Sequence, residues 1–148
     1  MVLTPVDCPF CEIVQREAPD AREVYRDEHV IAFFPTEPAV LGHTLIVPRE
    51  HVSDIWSVSE ETAAHLATAT VRLALAIRAA VHSEGLNVIQ SNGEAATQTV
   101  FHLHLHLVPR WSDDAMGPIW PEETNYTETA KDEMQQRIRT AIREGCAR

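Results

Sequence analysis

Histidines stand at alternate positions near the middle of the chain, and leucines fill the gaps between them. The stretch reads VFHLHLHLVPR, runs from Val100 to Arg110, and contains His102, His104 and His106. A period of two is typical of a β-strand with one apolar face and one polar face. Side chains on one face of a strand lie about 7 Å apart. The three imidazoles could therefore act together on one small anionic group or on a metal ion.

Three interpretations of these histidines imply different chemistry. They could be solvent-facing polar residues of a half-buried strand, although three in register is unusual for that. They could be metal ligands, but large barrels built around a His-x-His pair need ~250 residues, and double-stranded β-barrels have no place for a long helix. They could catalyse a reaction at phosphorus, where a neutral imidazole attacks and a neighbouring imidazolium binds the oxygens or protonates the leaving group. The pattern favours the third interpretation.

The elements that must position the histidines form a small α+β domain. Short apolar or alternating runs predict four further strands, at 24–26, 30–34, 42–51 and 85–93. Ser59 with two acids behind it predicts the start of a long helix with an apolar stripe. A second amphipathic helix is predicted over Glu128 to Glu144. We expect an antiparallel five-stranded sheet, one long helix packed on it and a C-terminal helix.

Composition narrows the class of protein. The 148 residues, with 45% hydrophobic content, suffice for one compact domain. No run approaches the ~20 apolar residues of a membrane span, and no basic start leads into an apolar run, so we expect a soluble, cytoplasmic protein with no membrane partner. A net charge of −10 argues against a nucleic-acid partner. The three cysteines predict no disulfide framework.

Three stretches resemble the histidine triad (HIT) family, in its zinc-bearing Hint-like branch. QTVFHLHLHLVPR is similar to the family signature, in which three histidines alternate with apolar residues. GHTLIVPREHV resembles the second characteristic stretch, and CPFC followed by Ile-Val resembles the zinc-bearing N-terminus. The resemblance spans Cys8 to Arg110 in order and spacing. It implies a single HIT-like domain over 1–148, with a zinc-bearing segment at 1–20, a catalytic core at 21–110 and a tail with a helix at 111–148.

The resemblance also implies roles for individual residues. His104 would be the nucleophile that forms a covalent nucleotidyl-imidazole intermediate. His106 would contact the transferred phosphate and assist the leaving group, and His43 would border the site and orient the triad. Gln98 and Thr99 would donate hydrogen bonds to the phosphate or leaving group, and Asn92 would lie beside them. Three apolar side chains would line the nucleoside pocket. Together the substrate-binding residues are Gln98, Thr99, Asn92, Phe10, Ile13 and Phe33.

The third histidine distinguishes branches of the family. Relatives that transfer a nucleotidyl group to a second phosphate, such as galactose-1-phosphate uridylyltransferases, carry glutamine at the position of His106, so histidine here favours hydrolysis. The resemblance then implies a homodimeric hydrolase of a nucleoside phosphoramidate or a dinucleoside polyphosphate. Two alternatives stay open: a nucleotidyltransferase or phosphorylase with the same intermediate, and a non-enzymatic nucleotide-binding regulatory module.

The pair Cys8 and Cys11 permits two interpretations. Cys-Pro-x-Cys is also a redox motif of thioredoxin-like proteins, which place a full strand before it and a long helix after it. The sequence has only seven residues before Cys8, so the zinc interpretation is favoured. The resemblance supplies His51 and His102 as the other two ligands. Such a Cys₂His₂ set would form a closed, structural zinc site.

The chain departs from the family pattern where relatives recognise the sugar. The family commonly ends the second strand with an aspartate that binds the ribose hydroxyls, whereas AFFPTEP places Pro35 there. Proline has neither an acceptor side chain nor an N–H group, and Glu37 is a candidate substitute. Thr97 also replaces a usual glycine. We therefore expect ordinary purine ribonucleotides to be poor substrates.

Overall fold

The computed structural model describes residues 7–145, and its central feature is an antiparallel sheet. The strands are β1 (Glu23–Arg26), β2 (Val30–Phe33), β3 (Thr44–Pro48), β4 (Gly85–Ile89) and β5 (Leu105–Arg110), in the spatial order β1-β2-β3-β5-β4. The helices are α1 (Pro9–Gln15), α2 (Glu60–Val81) and α3 (Glu128–Glu144), and a short 3₁₀ turn covers Glu94–Ala96. The predicted α+β class, with five antiparallel strands and two amphipathic helices, is confirmed.

The two faces of the sheet carry different helices. In β2, Val30 and Ala32 pack against α2, whereas Ile31 and Phe33 pack with α1 and the residues around it. This alternation follows from the two-residue period of a strand, and both β2 and β3 are buried along their whole length. The α1 face holds the cysteines and, as described below, the pocket.

Helix α2 begins where the sequence predicted. The Ser59 side chain accepts a hydrogen bond from the Thr62 amide, as an N-cap does. The buried residues of α2 are Leu66, Ala69 and Leu73, which pack in the same core cluster as Val30 and Ala32 of β2. By length and composition alone α2 could cross a membrane, with a mean hydropathy of 1.3. The helix packs on β2, β3 and β5, and 17% of its apolar 18-residue window is buried.

The histidine strand is shorter than the alternation suggested. β5 begins at Leu105, and the preceding residues are irregular. The reason lies in tertiary hydrogen bonding, because the Leu103 amide donates to the Val52 carbonyl at 2.7 Å and leaves the ladder with β3. Only His106 of the three histidines is therefore part of a strand. Because the chain is irregular before β5, the rings of His102 and His104 face different surroundings.

The chain divides into two compact units, one ending at Met116 and one beginning at Gly117. The second unit contains α3, whose bounds agree with the prediction and whose N-cap is the Thr127 side chain. Every residue of α3 is exposed. A single domain over 1–148 stays a prediction.

Candidate active site and metal centre

His104 is held by a main-chain oxygen. Its Nδ1 lies 2.7 Å from the His102 carbonyl oxygen, and because a carbonyl only accepts, Nδ1 carries the proton. In the neutral ring the lone pair is then on Nε2. His104 is 7% exposed, and burial lowers its pKa. The ring is thus kept in the form that can attack an electrophile.

His43 and His106 form a second oriented pair. The Ala39 amide donates to His43 Nδ1 at 3.0 Å, so the proton of neutral His43 is on Nε2. That nitrogen lies 2.9 Å from Nδ1 of His106 and donates to it. The proton of neutral His106 is therefore on Nε2. Burial, and the repulsion that His104 and His43 exert whenever they are protonated, lower the pKa of His106 to about 4.

The rings of His104 and His106 line one cavity of about 530 Å³. Their centroids are 4.9 Å apart, close enough for both to reach one phosphate group. Phe10 stands edge-on to His104 at 5.1 Å and to Phe33 at 5.3 Å. A mostly apolar cavity with a few convergent polar groups is typical of a small-molecule site.

The cavity contains most of the predicted substrate-binding residues. Its lining includes Phe10, Ile13, Phe33 and Thr99. Pro35 also lines it, at the place where the family pattern has aspartate. The lining further includes Arg22, to which no motif of the sequence pointed. His43 does not line the cavity and acts on it through His106.

Gln98 has a different set of contacts from those expected. Its amide nitrogen donates to the carbonyls of Ser53 and Val100, and its oxygen accepts from the Gly93 amide. The side chain is 3% exposed, and both N–H groups are already used. Donation to a phosphate would require Gln98 to give up one of these bonds, so in this structure it holds the loop beside the pocket.

Asn92 likewise bonds to its neighbours. Its oxygen accepts from the Ile55 amide at 2.7 Å and from the Gln90 side chain at 2.8 Å. Its nitrogen donates back to the Gln90 oxygen. Asn92 is not among the residues that line the cavity, and these contacts give it a role in shaping the loop.

A cluster of two thiols and two imidazoles lies on the same face of the sheet. One ligand atom from each of Cys8, Cys11, His51 and His102 lies within 4.8 Å of every other. The closest pairs are 3.3–3.6 Å apart. Zn–S and Zn–N bonds of about 2.3 and 2.0–2.1 Å produce tetrahedral edges of about this length. The cluster could therefore hold a metal ion, as the resemblance implied.

The orientation of His102 fits a metal ligand. Its Nε2 lies 2.8 Å from the Pro48 carbonyl oxygen and donates to it, which leaves Nδ1 unprotonated toward the cysteines. Metal-binding histidines commonly donate their second N–H to such an acceptor. Burial and the adjacent Cys8 raise the pKa of Cys11 to about 12, so two thiolates here would need a bound cation. Cys8 and Cys11 are both free thiols.

Comparison with known proteins agrees with this arrangement. The family model described as "HIT domain" matches residues 15–113. Over 137 residues the chain is 36% identical to Protein hit of Bacillus subtilis, a match that covers 92% of each protein. It is 31% identical over 118 residues to the Arabidopsis thaliana protein named adenylylsulfatase HINT3, covering 80% of this chain and 58% of that protein.

One similar solved structure is that of a protein with bound zinc. The crystal structure of a zinc-bound histidine triad family protein from Mycobacterium smegmatis has a TM-score of 0.71 and 34% identity, and the match covers 91% of this chain and 97% of that chain. The matched region includes the three alternating histidines and the second histidine stretch. The chain therefore belongs to the histidine triad (HIT) family.

Proposed function

We propose that this protein hydrolyses a nucleoside phosphoramidate or a dinucleoside polyphosphate through a covalent intermediate on His104. The observation that carries the proposal is the bond from His104 Nδ1 to the His102 carbonyl. It fixes the tautomer whose Nε2 can attack phosphorus, at a ring that lines the cavity with His106. The relative named adenylylsulfatase supports a hydrolytic reaction.

In the first step His104 Nε2 attacks the phosphorus, an N–P bond forms and the bond from phosphorus to the leaving nitrogen or oxygen breaks. The bound phosphate is anionic, so it favours uptake of one extra proton by the pair of His43 and His106. That proton goes to the leaving group. In the second step water attacks phosphorus, the N–P bond breaks, and the proton from water returns to the histidine pair.

Two rival functions share the site. If a phosphate or sugar phosphate replaces water in the second step, the protein is a phosphorylase or nucleotidyltransferase. If the chain binds nucleotides without turnover, it is a regulatory module. The histidine at position 106 favours hydrolysis, because the family's transferases carry glutamine there.

The metal that the cluster would hold is zinc, on Cys8, Cys11, His51 and His102. With four protein ligands and no open position, it would supply a structural cross-link and no chemistry of its own. The cluster joins the segment before α1 to the end of β3 and to the residue two before His104. A metal here would therefore stiffen one wall of the pocket.

We further propose a cytoplasmic homodimer. Support for self-association comes from α2, where Val71 and Leu75 are 65% and 67% exposed. β4 is an edge strand of the sheet and carries Val88, which is 49% exposed. A second copy that covers this surface would bury apolar side chains and protect a free strand edge.

The function is tested by trapping the intermediate. Mixtures of enzyme with a nucleoside phosphoramidate or a dinucleoside polyphosphate, quenched rapidly, should show an intact mass increased by one nucleotidyl group. Peptide mapping under conditions that preserve the acid-labile P–N bond should place that group on His104. Product analysis with and without added phosphate separates hydrolase from phosphorylase. An adduct on another residue, or none with either substrate class, contradicts the proposal.

A further inference from the structure

Helix α3 carries an apolar stripe whose side chains are exposed among residues 117–145, the described part of its own unit. Ala130, Met134 and Ile138 stand four residues apart and so share one side of the helix. Met134 and Ile138 are 48% and 54% exposed. Together with the exposed Tyr126 they border a groove of about 630 Å³. An exposed groove of this kind indicates a contact with another molecule.

The stripe has the width of a helix–helix seam. On a helix with 3.6 residues per turn, Met134 lies at its centre and Ile138 and Ala130 lie about 40° to either side. The opposite side of the helix is wholly polar, with residues such as Thr129 and Gln136. A helix that packs on a sheet or a broad core has a wider apolar face, whereas a narrow stripe suits one partner helix.

Charges along α3 show which partner helix is complementary. Glu133 and Arg137 stand on the same flank of the stripe, and among the described residues neither has an ion-pair partner. When two copies of one helix pack antiparallel, each flank meets the same flank of the other copy. Glu133 of each copy would then lie beside Arg137 of the other, twice per pair.

We propose that α3 of one copy packs antiparallel against α3 of a second copy. A two-fold axis at position 136 brings Met134 level with Ile138 of the other copy, twice per pair. The arrangement is self-complementary, as a two-fold contact must be, and it opposes the two helix dipoles favourably. This contact is separate from the α2 and β4 surface described above and does not depend on the proposed reaction.

The expected strength of the contact follows from its size. A helix of 17 residues is about 25 Å long, which is short for an independent coiled coil. The pairing is therefore expected to be weak alone and to strengthen when a second contact between copies raises the effective concentration. Its loss should weaken self-association of the full chain by at least about tenfold.

Cross-linking of the full-length chain tests the geometry. With Cys146 replaced by serine, chains carrying Met134→Cys are co-expressed with chains carrying Ile138→Cys. Mild oxidation should join the two kinds of chain to each other. Asp132→Cys with Thr140→Cys, which are level about the same axis but on the opposite side of α3, is the matched control and should give little cross-linking. Equal yields from both pairs, or no product from the first, would overturn the pairing.

Complementation of charge tests the same contact in solution. Glu133→Arg and Arg137→Glu should each weaken self-association in sedimentation experiments, because each places like charges on facing flanks. A mixture of the two variants should associate at least about tenfold more tightly than either alone. Charge pairs within one helix cannot produce that recovery. A mixture that behaves as the average of its components would contradict the proposal, as would wild-type association of the double variant Met134→Glu, Ile138→Glu.

Discussion

The Cys/His cluster that could hold a metal ion shares one short segment of chain with the pocket, but the histidines of the two sites expose opposite ring nitrogens. His102 donates Nε2–H to the Pro48 carbonyl and presents a bare Nδ1 to two cysteines. His104, two residues later, donates Nδ1–H to the His102 carbonyl and keeps Nε2 for the pocket. The residue type is the same, and a main-chain oxygen decides which nitrogen is available. The ring nitrogen that each histidine leaves available is therefore set by its main-chain acceptor.

The largest expected effect on activity is at His104. His104→Ala removes the atom that would attack phosphorus, so formation of the adduct should be abolished. His106→Ala is the matched control in the same pocket, and it should slow turnover by roughly 10²–10⁴-fold while the adduct still forms. Quenched-flow kinetics with intact-mass detection measures both. Turnover by His104→Ala would show that the two rings have been assigned in the wrong order.

The second prediction concerns the Cys/His cluster and its effect on the stability of the fold. The chain should bind one zinc ion, because its four ligand atoms have tetrahedral spacing. Stripping the metal should lower the free energy of unfolding, by about 3–4 kcal/mol relative to protein at free zinc 100–1,000 times its Kd. Metal analysis and denaturant titration check this. Less than half an equivalent of metal, with Cys8 and Cys11 oxidised to each other, would revive the redox interpretation.

A third prediction uses the pKa values of the pocket. Burial lowers the pKa of His43 and lowers that of His106 to about 4, whereas an unfolded histidine titrates near 6.5. Between about pH 6.5 and 4 the unfolded chain takes up protons that the folded chain does not. The free energy of unfolding should therefore fall across this range by about 1–3 kcal/mol from His106, and should not depend on His106 above it.

The control for this pH dependence is His106→Asn, which removes the titrating ring but leaves the metal ligands in place. Both proteins are titrated with denaturant from pH 8 to pH 4. Because both keep the four metal ligands, metal release should lower the free energy of unfolding equally in the two. The wild-type curve should fall more steeply than that of the variant. Parallel curves would mean that His106 is not held neutral by its surroundings.

Local signals in the sequence predicted the elements that depend on local chemistry. Ser59 marked the start of α2 because its side chain caps the helix, and the periodicity of α3 gave both its ends. The start of β5 was wrong, since it is set by the hydrogen bond from Leu103 to Val52, residues far apart in sequence. α1 was not predicted, because seven residues carry too little periodicity to recognise.

The candidate site divides in the same way. The motifs predicted that Cys11 and His51 belong to one cluster, and their ligand atoms do lie together. The groups that orient the rings could not, because the Ala39 amide and the Pro48 carbonyl are main-chain atoms with no signature in residue type. Gln98 shows the converse, where the residue matched a motif but its amide is used up by the loop.

The smallest expected effect concerns the sugar end of the pocket. Pro35 lines the cavity and offers no acceptor to a ribose hydroxyl. A hydrogen bond to a carboxylate contributes about 1.5–3 kcal/mol, so Pro35→Asp should raise kcat/KM for a simple ribonucleoside phosphoramidate by roughly tenfold. Pro35→Ala, which removes the ring without adding an acceptor, is the matched control and should show no gain. If both variants behave alike, or if activity falls, either Glu37 already binds the ribose or the natural substrate carries no ribose hydroxyl at this position. In the second case the pocket would be selective at this end for a different group, and Arg22, on the same lining, would be the first residue to test against anionic substrates.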